Sequence, residues 1–88
     1  MKTIAVNVST LAPPEPMQVI LSSLAELPNG AVLRVNHRRE PFPLYERLLV
    51  NGWLYYCEQV SDESFVIYIA HEQDKTEFCA YIDSSVQP

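Results

Sequence analysis

Glycine is nearly missing from this chain, with two residues in 88, Gly30 and Gly52. A loop that wraps phosphate in backbone amides needs several glycines close together, so a Gly-rich nucleotide loop is excluded. Cysteine is as scarce: Cys57 and Cys79 stand alone, twenty-two positions apart. The chain opens with Met1-Lys2 and runs straight into an alternating segment, without the apolar core of a signal peptide. A cytoplasmic protein with reduced thiols is therefore expected, and a Cys57–Cys79 disulfide is not. No Gly-x-Ser-x-Gly or cysteine-nucleophile signature occurs, which leaves hydrolase chemistry without its nucleophile. His37, Cys57, His71 and Cys79 follow one another at separations of 20, 14 and 8 residues, matching no short zinc pattern. Neither a metal nor another cofactor is expected; a His71/Cys79 pair is the one arrangement that merits a check. The longest unbroken apolar run is the six residues from Phe65 to Ala70, too short for a membrane helix.

Basic residues are also few. Six Lys and Arg face eleven Asp and Glu, for a formal net charge of −5 and a pI near 4.8. Binding to nucleic acid is driven largely by cations that displace counterions, so this balance argues against a nucleic-acid partner. The cations are not evenly placed, however. Arg34, Arg38, Arg39 and Arg47 put four of the six within fourteen residues, with His37 among them.

What the chain does contain is periodicity. Ile4, Val6 and Val8 alternate with Thr3, Ala5 and Asn7, the period-two signature of a half-buried strand. Prolines 13, 14 and 16 then force an extended approach and suit the first turn of a helix, where a missing N–H costs nothing. Met17, Ile20, Leu21, Leu24 and Leu27 follow helical spacing, and Pro28-Asn29-Gly30 stops it, giving a helix from about Pro14 to Leu27. Leu33 and Val35 alternate with Arg34 and Asn36 in a second strand, Ala31 to Asn36. Pro43 opens a second helix with Leu44, Leu48, Tyr45 and Leu49 as its apolar stripe, ended by Asn51-Gly52. Trp53 to Val60 and Phe65 to Ala70 read as two strands around a polar hairpin loop. Glu77 to Ile82 reads as either a short fifth strand or an arm laid on a partner, and Ser84 to Pro88 as a fraying end.

The order βαβαββ, in one domain spanning 1–88, predicts an α+β two-layer sandwich. It has a mixed four-stranded sheet, with the fifth strand as an option, and two helices on one face. The core covers about 3–70, with 71–88 as a C-terminal extension. Trp53, Tyr55, Tyr56, Tyr68 and Tyr81 exceed what one covered face needs. They serve either a partner on the open face, a homodimer included, or a sheet shielded by its own tail.

The proline-bounded helix start within this βαβαββ order resembles the TusA/SirA-like sulfur-carrier family, over roughly residues 3 to 70. Those carriers open their helix with Cys-Pro-x-Pro. Here the stretch is Pro13-Pro14-Glu15-Pro16, so Pro14 and Pro16 match the two prolines and Pro13 stands where the persulfide-bearing cysteine would be. Asn29 to Val35 also looks like that family's turn and second strand. The resemblance is to an uncharacterised sister group with Pro-Pro-Glu-Pro. It implies the carrier fold and not the carrier chemistry, because proline has no nucleophilic atom.

Parallel βαβ topology gathers strand C-termini and helix N-termini on one edge, where ligands of open sheets bind. His37, Arg38 and Arg39 follow the second strand directly and join Pro14 and Glu15 there, and the amides at both helix starts add partial positive charge. The plain alternative is a solvated loop whose arginines pair with Glu40, worth about 1 kcal/mol at most. From these residues the expected role is a small non-catalytic binding or adaptor module, taking a small anion or a protein partner at that edge. A sulfur-transfer or redox accessory using Cys57 or Cys79 is the alternative.

Overall fold

The computed structural model describes residues 1–85. Strand β1 (Lys2–Asn7) leads into helix α1 (Glu15–Ala25), followed by β2 (Ala31–His37) and helix α2 (Phe42–Val50). Strands β3 (Trp53–Ser61) and β4 (Ser64–His71) form a hairpin, and a 3-10 turn at Glu72–Asp74 opens helix α3 (Lys75–Ser85). The sheet order is β1-β2-β4-β3. β1 and β2 are parallel, with Ile4 opposite Leu33, while β4 runs antiparallel to both β2 and β3. The α+β architecture, its mixed four-stranded sheet and the pair α1/α2 on one face are as the periodicity requires.

Alternation divides each strand between two cores. Leu33, Val35, Ile67 and Ile69 face α1 and α2, meeting Ile20, Leu24 and Leu27 from the first and Leu44, Tyr45 and Leu48 from the second. Of the apolar stripe expected on α2, Leu49 is the exception. It lies 66% exposed, because Leu44, Tyr45 and Leu48 already fill the contact with the sheet. Val32, Val66, Tyr68 and Ala70 point the other way, onto Phe78 and Ile82 of α3.

The tail therefore departs from expectation. It is a helix, neither a fifth strand nor an extended arm, and Ser84 is helical rather than frayed; the rest of the expected fraying segment, 86–88, lies outside the described residues. Phe78, Tyr81 and Ile82 sit at i, i+3 and i+4, so one helical face carries all three onto the sheet. Two contacts reverse the chain from β4 into that helix. The Gly30 amide donates to the Asp74 carboxylate at 2.8 Å, and the Glu72 amide donates to the Gly52 carbonyl at 3.1 Å. The tail thus folds back over the sheet's open face, as one of the two roles foreseen for the surplus aromatics requires. Tyr68 and Tyr81 meet edge to face at 6.0 Å, and the hydroxyls of Tyr81 and Thr3 share a hydrogen bond of 2.8 Å.

Among the described residues no helix is long and apolar enough to cross a membrane.

Candidate functional site

Because β1 and β2 are parallel, Asn7 and His37 end at the same edge, and each strand hands over there to a helix that begins with a Pro-x-Pro step. Pro14-Glu15-Pro16 starts α1 and Pro41-Phe42-Pro43 starts α2. Between the two starts lies a pocket of about 270 Å³. Its wall from α1 is Pro13, Pro14, Pro16, Met17 and Ile20; its wall from the β2–α2 connection is His37, Arg39, Glu40, Pro41, Pro43 and Leu44. Arg39 and Glu40 also line an adjoining cleft with Arg38, Phe42, Asp62, Glu63 and Phe65.

The predicted edge residues are brought together in part. His37, Arg39 and Pro14 line one pocket, and Arg38 is their neighbour across Arg39. Glu15 lies exposed in the first turn of α1 and is not part of the pocket wall. Its role here is to complement the helix dipole.

The expected positive potential at the helix starts is reduced by the local chemistry. Pro16 and Pro43 have no N–H to offer. The Glu15 amide donates to the Ala12 carbonyl, Phe42 to Glu40 and Leu44 to Pro41, at 3.0, 3.0 and 2.9 Å. The edge therefore presents proline rings where an anion site on a helix start would present amides.

His37 contributes no cation either. Its Nδ1 accepts the Arg39 amide at 3.1 Å, so the ring is held as a neutral acceptor. Burial first, then the charges of Arg38 and Arg39, hold its pKa below the usual imidazole value. The positive charge of the edge rests on the two arginines. Both are exposed, and among the described residues neither guanidinium is in an ion pair. Glu40, the partner a purely solvated loop would use, is engaged elsewhere: its Oε2 accepts the Tyr45 hydroxyl at 3.1 Å.

Tyr45 anchors a second cluster that sequence reasoning missed. Its ring stacks on Tyr55 at 4.2 Å with 8° between planes and meets Phe42 edge-on at 5.9 Å. Burial, with smaller contributions from Cys57 and Glu40, pushes its phenol well above the ordinary range. Burial likewise pushes the Cys57 thiol up, outweighing the Tyr45 hydrogen bond that favours the thiolate. Signals for this cluster were the aromatic alternation of β3 and the Pro-x-Pro repeat, both visible but with no indication of what they would meet.

The two cysteines lie on opposite sides of the sheet, Cys57 packed toward α1/α2 and Cys79 exposed on α3. His71 and Cys79 are separated in the same way. The His71 imidazole lies tilted by 33° against Trp53, with ring centroids 4.4 Å apart, and its Nε2 lies 2.8 Å from the Leu27 carbonyl, where Nε2–H donates. Among the described residues no three His, Cys, Asp or Glu side chains gather as a metal site.

Comparison with curated proteins and with solved structures finds no match to the chain. Residues 5–71 match the family of uncharacterised conserved proteins designated DUF2249, a span that runs from the second half of β1 to the end of β4 and takes in the edge just described. The chain belongs to the DUF2249 family.

Proposed function

We propose that this protein is a small non-catalytic binding module that holds an anionic ligand, or an acidic group of a protein partner, at the edge formed by His37, Arg38 and Arg39. One observation carries the reading: two exposed arginines, without ion-pair partners among the described residues, stand beside an apolar pocket at the C-terminal ends of parallel strands. Unpaired guanidiniums are strong donors to carboxylate or phosphate, and an adjoining apolar pocket supplies the area that holds a ligand in place. The likeness to TusA/SirA-like carriers belongs to the same reading. It makes the Pro-Pro-Glu-Pro corner the working end of the fold, with binding retained and the thiol step lost.

Sulfur transfer is the weaker reading. A carrier thiol works as a thiolate, and burial at Cys57 disfavours that form. Cys79 sits on α3, on the far side of the sheet from the edge. A homodimer through the open sheet face would have to use the strip beyond α3, where Ala5, Asn7 and Arg34 remain exposed.

Arg38→Ala/Arg39→Ala in one chain tests the proposal. Both side chains are exposed, so thermal stability should stay within about 0.5 kcal/mol of the parent. Retention of small carboxylates or of an acidic partner should drop by roughly tenfold or more. Unchanged retention would remove the two arginines from the site.

A further inference from the structure

We infer that the ligand of this edge is a small amphiphilic monoanion, an alkyl or aryl carboxylate, whose apolar body enters the proline pocket while its head group meets Arg39. This rests on the binding reading above and narrows it to one ligand chemistry. Two features of the same corner select it. Few backbone donors remain to coordinate a compact, fully hydrated anion: Pro16 and Pro43 lack amides, and the Glu15, Phe42 and Leu44 amides are spent on loop carbonyls. Inorganic phosphate needs several converging donors, and here it finds one or two arginine side chains.

The pocket itself is built for carbon. Proline, methionine, isoleucine and leucine form most of its wall, and about 270 Å³ equals roughly nine water volumes. That suits a short alkyl chain or a single ring. Its polar groups stand on the β2–α2 connection. Arg39 has no ion-pair partner among the described residues, Glu40 is turned to the Tyr45 hydroxyl, and His37 is held neutral by the Arg39 amide. A single cation at the rim of an apolar pocket is the complement of a single carboxylate on an apolar body. Arg38, across Arg39 in the adjoining cleft, adds longer-range attraction, while Glu40, Asp62 and Glu63 disfavour a second negative charge on the ligand.

The test is a titration of the full-length protein, followed by amide chemical shifts, with hexanoate, hexanol, hexylamine and inorganic phosphate. Hexanoate should shift two sets of amides together, residues 13–20 and 37–44, and bind about tenfold more tightly than hexanol. Hexylamine and phosphate should be weaker still. Arg39→Gln should bring hexanoate down to the level of hexanol. Met17→Trp, which fills the pocket from a half-buried position, should abolish the shifts from both. Phosphate binding as well as hexanoate, with shifts confined to 37–40, would overturn this inference while leaving an anion site. Hexanol or hexylamine matching hexanoate would overturn the requirement for a carboxylate. Failure of both anions to shift either set would overturn this inference and, with it, the small-anion form of the binding reading.

Discussion

The two faces of the sheet are covered in different ways. On one side, α1 and α2 close a continuous core in which Leu33, Val35, Leu44, Ile67 and Ile69 have no exposed surface. On the other, α3 alone covers Val32, Val66, Tyr68 and Ala70, and leaves Arg34 exposed beside them. The first face is sealed by helices that the chain must make in order to cross between strands. The second is sealed by a helix that returns after the sheet is complete. The first is therefore fixed by the topology, whereas the second depends on a few specific contacts: the Asp74 carboxylate on the Gly30 amide, the Tyr81 hydroxyl on Thr3, and Phe78 and Ile82 beneath.

The same deletion made on each face is the strongest way to break this contrast. Ile69→Ala removes three carbons from the centre of the α1/α2 core and should cost about 4 kcal/mol in urea unfolding. Ile82→Ala, in a helix with one covered side, should cost about 2 kcal/mol, since α3 can settle toward the cavity. Equal losses would show that the two cores are equally rigid.

An alkaline titration sharpens the comparison at intermediate size. Tyr45 and Cys57, on the α1/α2 side, and Tyr68, on the α3 side, all have raised pKa values, chiefly by burial. A raised folded-state pKa means the unfolded chain loses its proton first. The associated stability is fully present below the unfolded values, near 9 for the thiol and 10 for the phenols, and is lost as pH rises beyond them. At Tyr68 the Arg34 charge opposes burial, so its phenolate should appear before that of Tyr45 in an ultraviolet titration. Simultaneous ionisation of the two would erase the distinction. The smallest effect is expected from Tyr81→Phe. Loss of one exposed hydroxyl bond to Thr3 should cost about 0.5–1 kcal/mol and speed amide exchange in α3 more than in β2. Equal acceleration in both elements would mean that α3 opens only with the whole domain.

The first face was legible in the sequence because each element repeats one signal several times. Ile4, Val6 and Val8 mark a strand, and Met17, Ile20, Leu24 and Leu27 a helix, before any packing is known. The second face was not legible. In Phe78-Cys79-Ala80-Tyr81-Ile82, alternate positions are apolar, as in a strand, and Phe78 and Ile82 are also one helical turn apart. Five residues cannot separate the two periods; the sheet's uncovered side decided between them. The candidate edge shows the same division. That His37, Arg38 and Arg39 would fall beside the first helix start follows from parallel strands alone. That the Glu15, Phe42 and Leu44 amides would be taken up locally does not, because it depends on where the carbonyls of Ala12, Glu40 and Pro41 come to lie.

The strand order has a consequence for how the molecule assembles. β4 is the last strand in the sequence and lies second from the edge, between β2 and β3. It joins β3 through the two-residue turn Asp62-Glu63, a local contact that closes quickly. Its pairing with β2 reaches back across α2, and β1 meets β2 only after the crossover through α1. A ribosome that has delivered β1, α1 and β2 has thus supplied two strands whose remaining partner is not yet made. Completion of the sheet waits for residues 64–71, and the candidate edge, which needs both helix starts held against it, matures only after that final strand is in place.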